Sequence, residues 1–220
     1  MQVPKSRCAI AVSRARIVSL PVREICFNAE EGCVLMPDGS IVTVDVKDNP
    51  YSERYIPRTA HWKSLGSTVA NLQGPPCCGC LNYPPKNKCY YPPGETRSSM
   101  LMPDGTVFAT GATHTGQSTG HTAIYTPGSG WKAGPDFPNG DQAGDDFAAL
   151  LPNGYALIEA NSGTLYEWDG TNLTRETVNA GGSLMVLPTG KSWSAGMNPI
   201  RARETTNRHG SPPFRTTRPR

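Results

Sequence analysis

Residues 101–137 read LMPDGTVFATGATHTGQSTGHTAIYTPGSGWKAGPDF, and this stretch decides the fold. An apolar pair, Leu101-Met102, precedes Pro103-Asp104-Gly105, and the β-rich run TVFATGA follows. Two β-rich runs around so short a turn segment predict a hairpin. Pro presets φ for the first turn position and Asp suits the next. Gly takes the positive φ that closes a three-residue loop with a bulge. A second hairpin follows: the strand HTAIY, the turn TPGSG and a strand that opens at Trp131. Hairpin plus hairpin gives four strands in one unit.

The unit recurs. Pro37-Asp38-Gly39 follows Leu35-Met36, Pro152-Asn153-Gly154 follows Leu150-Leu151, and Pro188-Thr189-Gly190 follows Val186-Leu187. The turn glycines Gly39, Gly105, Gly154 and Gly190 are 66, 49 and 36 residues apart. SERYIPRTAHW, ending at Trp62, and GTLYEWDGTNLT, with Tyr166 and Trp168, supply second hairpins for the first and third copies. Units of about 40–50 residues with four strands are the blades of a β-propeller. The expected fold is therefore all-β, with about three to three and a half blades in an open or incomplete propeller. The fourth copy loses its alternation after Trp193, and Pro199 cannot donate to a central ladder, so that blade starts without finishing.

Composition agrees. Gly (23) and Pro (21) make up a fifth of the 220 residues, against a norm of roughly 12%, which argues against a helical bundle. Gly does not recur every third residue, which excludes collagen. No apolar run of about 18 residues exists, which excludes a membrane-spanning helix. Net charge is +4 over residues 1–25 and +5 over 194–220, leaving −6 between them. Nucleic-acid binding needs a basic face on the folded domain, so no nucleic-acid partner is expected. Residues 1–30 read as a poorly ordered segment, 31–193 as propeller blades, and 194–220 as a disordered Arg/Pro/Thr-rich tail. Residues 71–95, NLQGPPCCGCLNYPPKNKCYYPPGE, read as a long inter-blade loop over one rim. The apolar stretch 9–22 is interrupted by Arg14 and Arg16 and does not read as a secretory signal. Localisation stays open, extracellular if the complete protein is exported.

The Leu-Leu-Pro-Asp-Gly type of hairpin, followed by Tyr55-Ile56-Pro57 closing at Trp62 or Tyr125-Thr126-Pro127 closing at Trp131, resembles a kelch-type blade. It is similar to bacterial and fungal proteins related to the propeller domain of galactose oxidase, over roughly residues 30–193. The resemblance implies the fold, and it raises the single copper that such oxidases hold with two Tyr and two His, one Tyr being cross-linked to a Cys. Residues of those types stand at Cys77, Cys80, Tyr83, Cys89, Tyr90, Tyr91, His114, His121 and Tyr125. The family's adjacent Tyr-His pair is absent, so no copper ligand carries over. No catalytic, cofactor-binding or metal-binding residue is assigned, and no cofactor is expected.

Other candidates have plain readings. Four of the seven cysteines cluster at Cys77, Cys78, Cys80 and Cys89; disulfide, free thiol and metal all remain open, and Cys80–Cys89 is the expected pair if a disulfide forms. His121 is expected to bond a backbone carbonyl at a strand end, and His114 to sit in a solvent-facing loop. Asp141, Asp145 and Asp146 read as a solvated loop. Asn172-Leu173-Thr174 is a glycosylation acceptor pattern that matters only if the chain is exported. Inter-blade packing is expected from Leu35, Met36, Leu101, Leu150, Leu151, Leu187, Val107, Tyr125, Trp131, Leu157 and Trp168. The function expected is a non-catalytic propeller segment that binds a protein or carbohydrate through its rim loops. The alternatives are a fragment of a galactose- or glyoxal-oxidising copper radical oxidase without a complete site, or a truncated product with no function of its own. An open stack leaves two apolar blade faces able to self-associate.

Overall fold

A computed structural model describes residues 32–45, 49–74, 96–113, 118–144, 148–179, 183–186 and 192–195. β1 (Cys33–Leu35), β2 (Ile41–Val44), β3 (Tyr51–Ile56) and β4 (His61–Ser67) form the first sheet, in that order. β5 (Ser99–Leu101), β6 (Val107–Thr110), β7 (Thr122–Thr126) and β8 (Gly130–Ala133) form the second. β9 (Ala149–Leu150), β10 (Ala156–Glu159), β11 (Thr164–Trp168) and β12 (Leu173–Asn179) form the third. β13 (Ser183–Val186) and β14 (Ser192–Ala195) form a two-stranded sheet, half a blade. Every pairing is antiparallel and joins neighbours in sequence. β14 runs to Ala195, two residues past the expected fading at Trp193. The expectations for residues 1–30, for 75–95 with Cys80 and Cys89, for Pro188 and Gly190, and for the tail from 196 lie outside the described residues.

The repeated turns are built alike. The Met36 carbonyl accepts from the Gly39 N–H at 2.9 Å, and the Met36 N–H donates to the Ser40 carbonyl at 2.8 Å. Met102 and Leu151 close the next two loops the same way. Gly39, Gly105 and Gly154 take φ of 79°, 84° and 86°, a region other side chains rarely adopt. The side chain at the Asp/Asn position adds a bond of its own. Asp38 Oδ1 accepts from the Ser40 N–H (3.1 Å) and hydroxyl (2.6 Å). Asp104 Oδ1 accepts from the Thr106 N–H (2.9 Å) and hydroxyl (2.7 Å), and Asn153 Oδ1 from the Tyr155 N–H (3.0 Å). Such Asx bonds hold the turn without help from its neighbours.

Strand alternation sends successive side chains into opposite seams. Val107 and Tyr125 pack with Val34, Met36 and Val42 of the first sheet, while Ala109 and Ala123 meet Val44. Phe108 and Ile124 face the third sheet, and Phe108 stacks on Trp168 with ring centroids 4.7 Å apart and planes 7° from parallel. Ala149, Leu151, Leu157 and Leu165 of the third sheet pack with Leu184 of the half-blade. Equivalent strands are neighbours: β1 lies beside β5, β4 beside β8, and β9 beside β13. Sheets stacked face to face in this way, first strand on first strand, are propeller blades. Tyr55–Trp62 and Tyr125–Trp131 repeat one geometry, with centroids 5.2 and 5.3 Å apart and both pairs tilted by 47°. The Trp131 indole N–H crosses to the first sheet and donates to Ser52 Oγ at 2.7 Å.

Two expectations about packing need correction. Leu35 and Leu150 are 42% and 41% exposed, not seam residues. Alternation gives the seam to only one member of each apolar pair, and the buried one is Met36, Met102 or Leu151. Leu101 is half-buried, and Leu187 lies outside the described residues. The expected rim loop also begins as core: Leu72 is fully buried with Val44, Ala109 and Ala123. A Cβ at Gly111 would come within 2.5 Å of the Leu72 Cα, so a side chain there would expel this segment.

Candidate functional site

The meander sorts its connections into two ends. The Pro-Asp/Asn-Gly turns and the β3–β4, β7–β8 and β11–β12 turns lie at one end. The β2–β3, β6–β7 and β10–β11 loops, with the connections between sheets, lie at the other. Of the polar candidates among the described residues, His121 and Asp141 fall at that second, loop-bearing end.

Between the second and third sheets this end is a polar network. The Thr119 hydroxyl lies 2.6 Å from the Phe137 carbonyl and 2.9 Å from that of Asp141. The Gly120 N–H also donates to the Asp141 carbonyl, at 2.8 Å. Asp141 Oδ2 accepts from the Ser162 hydroxyl (2.5 Å) and the Tyr166 phenol (3.2 Å). Burial, then the adjacent Asp141 carboxylate, push the Tyr166 phenol up from its ordinary value. The Gln142 side-chain oxygen accepts from the Thr113 N–H, and its carbonyl from the Asn161 N–H at 2.9 Å. Asp141, half-buried, thus ties three loops together in addition to facing solvent as expected. Asp145, Asp146 and His114 lie outside the described residues.

His121 departs from expectation. Its Nδ1 lies 2.6 Å from Asp136 Oδ1, so its partner is a carboxylate and not a carbonyl. The β7–β8 register lays the ends of the two strands side by side. A histidine–carboxylate pair can orient a base, yet it needs a nucleophile to serve. Thr119, Ser162 and Tyr166 instead direct their hydroxyls to carbonyls or to Asp141. Tyr125 is buried against Trp131. Among the described residues no three His, Cys, Asp or Glu side chains come together as a metal site requires. Of the residues of copper-ligand type only His121 and Tyr125 lie among the described ones, the first against Asp136 and the second against Trp131.

The rim of the first sheet holds a feature that no sequence signal marks. The Ala70 N–H donates to the Thr68 carbonyl at 2.8 Å, which closes a γ-turn on Val69 at φ 68°. A β-branched residue at positive φ is a true outlier. The turn is pinned from below: the Thr68 N–H donates to the Pro50 carbonyl at 2.7 Å, and the Thr68 hydroxyl lies 2.6 Å from the Ala70 carbonyl. Val69 is 63% exposed, and Tyr51, paired with Ser67 across β3 and β4, is 50% exposed. A valine in mid-loop reads as strand in sequence, so the turn was not legible.

No family model matches the chain, and no curated protein matches it. Solved structures do. YCF48 bound to a D1 peptide is 15% identical, with a TM-score of 0.49 over 82% of this chain and 52% of its own. A protein assigned as a gluconolactonase is 15% identical, with a TM-score of 0.48 over 80% and 59%. A fungal alcohol oxidase of the AA5 family, in complex with copper, is 12% identical, with a TM-score of 0.45 over 76% and 37%. These neighbours are β-propellers. The chain spans 52% and 59% of the length of the first two. Among the described residues no helix is long and apolar enough to cross a membrane.

Proposed function

We propose that the chain is a non-catalytic, kelch-type propeller segment that recognises a protein or carbohydrate through its loop-bearing end. The observation that carries this is the exposed pair Tyr51 and Val69, the second held in a strained turn. Strain of this kind costs about 1–3 kcal/mol and clusters at ligand-binding positions. A valine side chain exposed to water returns little to the fold. The exposed ring of Tyr51, whose strand pairs with the residues just before the turn, offers a flat apolar face for a peptide side chain or a sugar ring. The kelch reading is supported by the recurring Tyr–Trp pair of the first two sheets. On this reading the blades span residues 31–193, and the open faces at either end of the stack favour self-association.

The test is a glycan array together with a peptide-display screen on the folded chain. A ligand is expected whose binding weakens at least tenfold in Tyr51→Ala and Val69→Gly. Val69→Gly should melt no lower than the wild type, because glycine relaxes the turn. Empty screens on a well-folded sample would sink the proposal. Stoichiometric copper uptake with peroxide production from galactose or glyoxal would favour the oxidase-fragment reading instead.

A further inference from the structure

The outer corner of the third sheet carries the acceptor pattern Asn172-Leu173-Thr174. β12 is an edge strand of its sheet, and the turn that leads into it is Asp169–Asn172. Asp169 Oδ1 accepts from the N–H groups of Thr171 and Asn172, each at 2.7 Å, and Gly170 takes φ 98°. This fixes where β12 begins and hence which way its residues point. Leu173 turns inward and joins the core shared with Phe108, Tyr166 and Trp168. Asn172 and Thr174, on either side of it, are both exposed. The Asn172 amide nitrogen has a contact of 3.4 Å to Asp169 Oδ2, at the outer limit of a hydrogen bond. The amide and the hydroxyl two residues on, the pair the acceptor pattern requires, therefore stand together in solvent.

A second observation concerns the compartment. Cys33 is disulfide-bonded. Disulfides persist where proteins are exported, and asparagine-linked glycans are added there too. We propose that Asn172 carries an N-linked glycan added during export. In that step Asn172 Nδ2 bonds to the anomeric carbon of a lipid-pyrophosphate-linked oligosaccharide. The bond from that carbon to the pyrophosphate oxygen breaks, the lipid pyrophosphate leaves with the electron pair, and Nδ2 gives up one proton. No oxidant or reductant is involved. The glycan would stand at the hairpin-turn end, away from Tyr51 and Val69, so it shields an exposed sheet edge and leaves the loop-bearing end clear.

The full chain, exported from a glycosylating eukaryotic host, tests this by intact mass before and after peptide-N-glycosidase treatment. One glycan is expected on the wild type and on Thr174→Ser, and none on Asn172→Gln or Thr174→Ala. Peptide mapping of the wild type after enzymatic deglycosylation in heavy-oxygen water reads conversion of Asn172 to aspartate directly, so the answer does not depend on the variants folding. An exported wild-type chain whose mass is unchanged by the enzyme, or a glycan that persists in Asn172→Gln, overturns the proposal.

Discussion

Ser52→Ala should loosen the seam between the first two sheets. The Ser52 side chain is fully buried, and its hydroxyl is used twice. It donates to the Gly66 carbonyl at 2.9 Å within the first sheet and accepts the Trp131 indole N–H at 2.7 Å from the second. Deleting it strands one donor and one acceptor. A stranded buried group costs about 1–3 kcal/mol, but Gly66 and Trp131 are half-buried and water recovers part of that, leaving roughly 2 kcal/mol for the pair. In a chain of this size that lowers the melting temperature by about 4–8 °C. Trp131→Phe removes the same donor while keeping a ring against Tyr125. The two substitutions should therefore couple: together they should cost about 1 kcal/mol less than their sum. Urea unfolding of the wild type, both single variants and the double variant closes the cycle, provided the m-values agree. Coupling below about 0.3 kcal/mol would show that the indole does not bridge the sheets in solution and would refute the reasoning.

Adjacent leucines give a second check: Leu151→Ala should cost about 2–5 kcal/mol and Leu150→Ala no more than about 0.5 kcal/mol, by urea unfolding. A reversed order would mean the third sheet is in the wrong register. The Thr106 backbone N–H and hydroxyl hold the Asp104 carboxyl below its usual range, as the Ser40 hydroxyl and backbone N–H do for Asp38 and the Asn172 backbone N–H does for Asp169. Their stabilisation is complete above the ordinary carboxylate pKa and is lost as pH falls through the lowered folded values. Asp104→Asn keeps the acceptor, as Asn153 does, so its melting temperature should fall less between about pH 5 and pH 2 than that of the wild type; equal slopes would contradict this. On the proposed open-stack reading, sedimentation velocity should show concentration-dependent association, and a compact monomer at all concentrations would show that the outer blade faces are capped.

The turns were legible because their chemistry is local. Pro, Asp or Asn, and Gly act through their own φ values and side-chain reach, so four residues suffice to declare a hairpin. The phase of each strand was not legible where two apolar residues stand together. Leu35-Met36 reads the same in either register, and only the pairing of Leu35 with Ile41 shows which residue faces the seam. The loop-bearing end was less legible still. His121 and Asp136 are 15 residues apart and meet only through the register of a hairpin, and Asp141 meets Ser162 and Tyr166 across separate loops. Leu72 sits in a Pro- and Cys-rich neighbourhood that gives no hint of burial.

Because among the described residues the core clusters join each sheet to the sheets next to it, with the turns closed by their own Asx bonds, cooperativity in this chain should run along a line. A seam's free energy reaches a distant sheet only through the sheets between. The second sheet, with Phe108 on one side and Val107 on the other, has neighbours on both faces. The half-blade β13–β14 has the third sheet on one side and, among the described residues, no sheet on the other. Amide protection should therefore be graded, deepest in β6 and β7 and shallowest in β13 and β14, as in a zipper that opens from its last tooth.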